Sequence, residues 1–161
     1  MKTRLLILLY LFAIIAANLI ITTYGPAASI ITAFFLIGLD LTSRDALHEA
    51  WQGRGLPWKM ALLIGAGSIL SYLLNQNAGP IALASFGAFA LSGLTDTLGY
   101  SLLGNRARRV RVNGSNVLSA GVDSVVFLSL AFGWPPLWGI VAGQWLAKVA
   151  GGFIWSWVVF K

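Results

Sequence analysis

The sequence predicts an all-α membrane protein, a bundle of six transmembrane helices with both termini in the cytoplasm. Composition, long apolar runs and the placement of the basic residues support this fold class. Hydrophobic residues make up 58% of the 161 residues and charged residues only 10%, whereas soluble domains contain about 25% charged residues. A soluble domain of this size still exposes to water roughly a third of the surface of its unfolded chain, and a chain this apolar would have to expose hydrophobic area. We therefore expect the chain to fold in lipid.

Six apolar runs are long enough to be considered as membrane-spanning helices, which need about 20 mainly apolar residues. Short polar or proline-containing segments separate them, and proline prevents a helix from continuing at residues 133–136. The runs lack the in–out alternation of barrel strands. They predict a single transmembrane domain, residues 1–161, with helices at about 5–23, 27–41, 58–74, 81–103, 115–132 and 136–160.

The first helix also resembles a signal peptide, because Lys2 and Arg4 precede an apolar stretch. This stretch continues through Asn18 to Thr22, which is longer than the apolar region of a usual signal peptide. We therefore expect it to be retained as the first helix.

The basic residues predict the orientation. Lys148 is the only one deep inside a predicted helix, since Lys59 is the second residue of the third helix. The others precede the first helix, follow the last, or lie in the second and fourth connections: Lys2, Arg4, Arg44, Arg54, Lys59, Arg106, Arg108, Arg109, Arg111 and Lys161. Since cytoplasmic segments of membrane proteins are enriched in Lys and Arg, this pattern places both termini in the cytoplasm. It also explains the net charge of +6 without a nucleic-acid partner.

Lys148 lies about twelve residues into the sixth predicted helix, near the middle of the bilayer. A charge there costs at least about 2.5–3.5 kcal/mol on insertion scales, so it needs a partner or a watery cavity. Asp123 and Asp96 are the candidate partners, and Gln144 lies one turn before Lys148 on the same helix face. We predict that Lys148 pairs with Asp123.

Further polar residues recur at three- and four-residue steps, which places them on common helix faces. They are Asn116, Ser119 and Asp123 in the fifth helix, Ser92, Asp96 and Tyr100 in the fourth, and Asn18 in the first. Hydrogen bonds between helices would explain Asn18 and the serines. The ionisable residues favour a central polar cavity, since intramembrane charges are usually functional.

Small residues predict close packing of the sixth helix. Gly139, Gly143, Ala147 and Gly151 recur at every fourth residue, a spacing that lets two membrane helices approach closely.

No motif indicates an enzyme, a metal or a cofactor. The sequence contains no Gly-rich loop ending in Gly-Lys-Ser/Thr and no His-Glu-x-x-His run. His48 lies near Asp45 and Glu49, but one histidine without further ligands is weak evidence for a metal site.

Four segments together resemble the VUT family of small bacterial and phage membrane proteins, described as vitamin-uptake or queuosine-precursor transporters. These segments are GLDLTSRDALHE, TDTLGYSLL, NGSNVLSAGVDSVVF and GQWLAKVAGG. The resemblance implies import across the bacterial inner membrane of a 7-deazaguanine such as preQ0, preQ1 or queuine. Carried over by motif, it places Asp96, Asn116, Ser119, Asp123, Gln144 and Lys148 in the substrate cavity.

With Asn18 and Tyr100 added from the polar faces, these residues form the predicted substrate-binding set. Three alternatives stay open at this point. The chain could act alone, as a homodimer, or as the substrate-binding subunit of an energy-coupling-factor transporter with an external ATPase. A membrane-embedded enzyme acting on lipid is less compatible with the deep lysine and the missing carboxylate pair.

Overall fold

A computed structural model describes residues 3–51, 55–103, 106 and 108–159. Six helices contain most of these residues, and no strand occurs among them, which confirms the predicted all-α class. We number the helices α1 (Thr3–Tyr24), α2 (residues 28–50), α3 (Leu56–Leu74), α4 (Gly79–Leu102), α5 (Arg108–Phe132) and α6 (Trp138–Val159). A short 3-10 turn, Gln76–Ala78, leads into α4.

Three segments of the described ranges are long and apolar enough to cross a membrane: Thr3–Tyr24, Gln76–Asp96 and Gly114–Phe132. Trp58–Leu74 in α3 is apolar but shorter. Helices α2 and α6 are not among these segments, and both contain buried charged side chains: Asp40 and Arg44 on α2, and Lys148 on α6. The chain is therefore a multi-pass membrane protein.

Large apolar side chains cover the outside of the bundle. Every helix contributes at least one that is highly exposed: Leu8, Ile31, Leu62, Leu83, Leu118 and Leu146. Soluble monomers rarely expose so much contiguous apolar surface, so these faces suit contact with lipid.

Helix α2 extends beyond its predicted end at residue 41 and continues to Ala50. Neither glycine nor proline occurs between Leu41 and Trp51, so nothing in this polar stretch ends the helix. Arg44 consequently lies inside the bundle, 3% exposed, with its guanidinium carbon 5.2 Å from the centre of the Phe89 ring. Its assignment to a connecting segment was wrong. Helix α5 likewise begins at Arg108, two turns before its predicted start.

Glycines bring α2 and α6 into backbone contact. A Cβ on Gly38 would lie 2.7 Å from the carbonyl carbon of Gly151, and one on Gly143 would lie 2.8 Å from Cδ1 of Ile30. The predicted close packing is thus confirmed at two positions of the small-residue stripe. A Cβ on Gly139 would meet no described atom within 4 Å, so the stripe packs only over its later part. The backbone opposite Gly151 belongs to Ala33–Ile37, a π-helical segment inside α2.

Two apolar clusters form the core, and they lie at opposite ends of the bundle. One includes Leu6, Tyr10, Ile14, Leu47, Met60 and Ile64. The other includes Ile21, Ile81, Ala84, Ala88, Phe127, Leu128 and Val141. Along α1 the first cluster ends at Ile14 and the second begins at Ile21. The polar residues of α1 and its neighbours are therefore enclosed between two apolar layers.

Candidate functional site: a polar cavity in the bundle

Five helices enclose a cavity between the two apolar clusters. Its volume is about 50 Å³, above the roughly 10–15 Å³ that a cavity needs to hold one water molecule. The lining comes from α1, α2, α4, α5 and α6: Ala17, Asn18, Ile21, Ile37, Asp40, Leu41, Ser85, Ala88, Phe89, Ser92, Ser119, Ala120, Asp123, Phe127, Gln144 and Lys148.

An ion pair forms the wall contributed by α5 and α6, which we call the charged wall. The Lys148 ammonium donates to Oδ2 of Asp123, and also to Oγ of Ser124 at 3.2 Å. The Lys148 side chain is 2% exposed and that of Asp123 is 19% exposed. The predicted pairing of Lys148 with Asp123 is confirmed. Each charge neutralises the other where neither could remain ionised alone in hydrocarbon.

Gln144 belongs to the same wall, one turn before Lys148 on α6. It is 2% exposed, and its Oε1 accepts no hydrogen bond from any residue that the structure describes. Buried polar atoms are nearly always hydrogen-bonded, because leaving one without a partner costs about 1–3 kcal/mol. Oε1 of Gln144 is therefore an acceptor available to a molecule inside the cavity.

Neutral groups of α1 and α4, joined by hydrogen bonds to Ser71 of α3, form a second part of the lining, which we call the neutral wall. Asn18 donates from Nδ2 to Oγ of Ser71 at 3.1 Å and accepts at Oδ1 from Oγ of Ser85 at 2.7 Å. Ser71 donates in turn to the carbonyl of Gly67 at 2.8 Å. Both ends of the Asn18 amide are thus used to join three helices.

Sequence reasoning left Asp40, Phe89 and Arg44 out of the site. Asp40 is 1% exposed and lines the cavity, and Phe89 lines it from α4. The Arg44 guanidinium lies over the Phe89 ring, and the Tyr10 ring meets Phe89 edge-on at 6.3 Å. The spacing of Asp40 and Arg44, four residues apart, was a usable signal for one buried helix face. No pattern in the sequence indicated Phe89.

The predicted set divides into residues that line the cavity and residues that do not. Asn18, Ser119, Asp123, Gln144 and Lys148 line it, whereas Asp96 and Asn116 are not among the lining residues. The Tyr100 side chain lies outside the described part of the chain. Asp96 lies one turn beyond the lining residue Ser92 on α4. It is partly buried, and its Oδ1 accepts no hydrogen bond from the described residues.

Comparison with known proteins identifies one family. A family model with the description "Putative vitamin uptake transporter" matches residues 5–160, which is nearly the whole chain. Neither the curated proteins nor the solved structures contain a match to this chain.

Proposed function

The chain belongs to the vitamin uptake transporter family, and from this premise we propose that it imports a small planar solute, a 7-deazaguanine of the queuosine pathway, across the bacterial inner membrane. The observation that carries the proposal is the buried Gln144 acceptor beside the Lys148–Asp123 ion pair, in a cavity at the centre of the bundle. Membership of a transporter family points away from catalysis.

The chemistry of the lining suits such a solute. A guanine-like ring presents N–H donors on its pairing edge, and amide or carboxylate oxygens match such edges with paired hydrogen bonds. Gln144 and Asp123 offer oxygens on the charged wall, and Asp40 offers a further carboxylate from α2. Phe89 and Phe127 give the cavity aromatic surface, on which flat heterocycles stack. Asn18 and Ser119 complete the polar lining.

The proposed arrangement is one domain of six membrane-spanning helices with both termini in the cytoplasm. Helix α6 contains 22 residues, which extend about 33 Å at 1.5 Å per residue and suffice for a hydrocarbon core of about 30 Å. Apart from Arg44 and Lys148, the basic residues still lie in the connections, within the first turns of α1, α3 and α5, before α1 or after α6, at the end of the bundle predicted to face the cytoplasm, so the basis for the orientation is retained.

Transport would proceed by alternating access to the cavity, as is common for carriers with a site near the bilayer midplane. At the backbone contact between α2 and α6, Gly38 and Gly151 have no side chains, so one helix could slide along the other without a side-chain clash at this point.

Uptake of labelled 7-deazaguanines into bacteria that cannot synthesise queuosine tests the proposal. Cells expressing the wild-type chain should accumulate label and recover queuosine in tRNA, whereas cells expressing Lys148→Met should not. Leu146→Ala, at a side chain 63% exposed on the same helix, is the matched control and should behave as wild type. Absence of uptake for preQ0, preQ1 and queuine alike would contradict the substrate assignment.

The purified chain in liposomes separates the independent carrier from a subunit of a larger transporter. Exchange of labelled for unlabelled solute by the chain alone supports the carrier. Exchange that requires an added ATPase would instead establish the energy-coupling-factor arrangement.

A further inference from the structure

The carboxylates of the bundle differ in their partners. Asp123 forms an ion pair with Lys148, and Asp40 lies one helical turn before the buried Arg44. Asp96 forms neither an ion pair nor a hydrogen bond with the described residues, although its Oδ1 is buried. The proposed transport mechanism does not use this side chain.

Asp96 is close to the cavity without being part of its lining. It follows the lining residue Ser92 by four residues on α4, which places it on the same helix face about 6 Å further along the axis. Ser92 donates its hydroxyl to the carbonyl of Phe89 at 3.1 Å. A carboxylate at this position can exchange protons with water in the cavity through a short path.

The helices that pack against α4 provide no counter-charge for Asp96 among their described side chains. Their charged and titratable groups are Arg4, Tyr10 and Tyr24 on α1, Lys59 and Tyr72 on α3, and Asp123 on α5. Helix α2 also contacts α4, with the Arg44 guanidinium over the Phe89 ring, and it contains the buried Asp40 one turn before Arg44. None of these groups forms a hydrogen bond or an ion pair with Asp96, and Asp123 is already paired with Lys148. Arg108, Arg109 and Arg111 stand at the start of α5, and their side chains lie outside the description.

A carboxylate within the membrane is neutralised by a cation or by a proton, or faces a water-filled cavity. The described residues contain no group of three or more His, Cys, Asp or Glu side chains that could hold a transition-metal ion. A proton needs only the carboxylate. We propose that Asp96 is the proton-binding site that couples solute uptake to a proton gradient; this rests on the proposed transport function.

In the coupled cycle one proton accompanies one solute molecule. The proton joins the Asp96 carboxylate while the cavity is open to the outside, and the neutral carboxyl then passes through the change of access with the solute. On the cytoplasmic side the proton returns to water and the carboxylate is regenerated. The Lys148–Asp123 pair remains intact throughout, so the solute site and the proton site are separate.

Purified protein in liposomes tests this with two assays, using preQ0 as the solute and the membrane potential clamped at zero. Solute exchange without a gradient reports transport alone, and net accumulation under an inward proton gradient reports coupling. For one proton per neutral solute, a gradient of one pH unit supports at most about tenfold accumulation, the equivalent of about 1.4 kcal/mol. Wild type should approach this value.

Asp96→Asn should exchange solute as wild type does and accumulate none above the outside concentration, whereas Asp96→Glu should keep both activities. Thr95→Val is the matched control, because among the described residues the Thr95 hydroxyl bonds within its own helix, to the carbonyl of Leu91; it too should keep both. Gradient-driven accumulation by Asp96→Asn would overturn the assignment of Asp96.

A pH-sensitive dye inside the wild-type liposomes gives a second measurement that needs no variant. Addition of preQ0 should acidify the interior by one proton per solute molecule taken up. Solute entry without acidification would overturn coupling while leaving the transport function intact. Wild-type protein that fails even to exchange solute would overturn the transport function, and coupling with it.

Discussion

The two walls of the cavity use polar side chains in opposite ways. On the neutral wall, both ends of the Asn18 amide are bonded, to Ser71 and Ser85. On the charged wall, Lys148 is bonded to Asp123 and Ser124, while Oε1 of Gln144, one turn away, accepts no hydrogen bond from the described residues. Asn18 and Gln144 are each 2% exposed, so burial alone does not distinguish them.

The difference separates groups that hold the bundle together from groups that can bind a guest. An amide whose nitrogen and oxygen are each bonded to a neighbouring helix gains less from a ligand than an amide with an unbonded oxygen. A buried acceptor without a partner destabilises the empty protein by its desolvation free energy, and a hydrogen bond from a ligand offsets this cost. We therefore propose that the neutral wall stabilises the bundle and that the charged wall recognises the solute, so that variants of each wall should fail in different ways.

The largest effect is expected from Lys148→Met. The change leaves the Asp123 carboxylate without its cation inside the bundle, and breaking a buried pair in this way costs about 3–5 kcal/mol. We expect most of the folded protein and all uptake to be lost. Size-exclusion chromatography of a fluorescent fusion in detergent, together with uptake in cells, would measure both.

The double variant Lys148→Met with Asp123→Leu distinguishes stability from function. Removing both charges at once is often neutral for stability, so this variant should recover folded protein and still fail in uptake. Full recovery of uptake would show that the ion pair is dispensable for solute recognition and would remove the functional distinction between the walls.

The sequence predicted this ion pair because a lysine in mid-membrane must be neutralised, and Asp123 was an acid of suitable depth. It predicted only some of the polar residues that line the cavity. Ser92 and Asp96 share one face of α4 by spacing, yet only Ser92 lines the cavity. Spacing defines a face of one helix, whereas the cavity depends on how the neighbouring helices are rotated and how closely they approach.

Arg44 illustrates a second limit. Its charge and its polar neighbours suggested a connecting segment, but the helix continued and the guanidinium was buried against Phe89. A charge pattern predicts orientation only where the ends of the helices are known, and local polarity did not reveal that end. Asp40 was missed for the same reason, since a helix ending at residue 41 placed it at the membrane surface.

An intermediate effect, confined to stability, is expected from Asn18→Leu on the neutral wall. The change removes the acceptor of the Ser85 hydroxyl and the donor to Ser71, and a buried polar group without its partner costs about 1–3 kcal/mol. The melting temperature in detergent should fall while the KM of the remaining folded protein stays unchanged. Asn18→Leu with Ser85→Ala should recover part of the stability, because the stranded hydroxyl is removed. A raised KM at wild-type melting temperature would instead give Asn18 a role in binding.

The smallest and most selective effect is expected from Gln144→Leu. Since Oε1 of Gln144 accepts no hydrogen bond from the described chain, its removal breaks no contact in the empty protein, and the melting temperature should equal or slightly exceed that of wild type. The solute would lose one buried hydrogen bond, and a loss of about 1.4 kcal/mol corresponds to a tenfold rise in KM. Uptake kinetics and a thermal melt of the same preparation would measure the KM and the melting temperature. A lower melting temperature with an unchanged KM would mean that Gln144 supports the fold as Asn18 does, and the two walls would then differ only in charge.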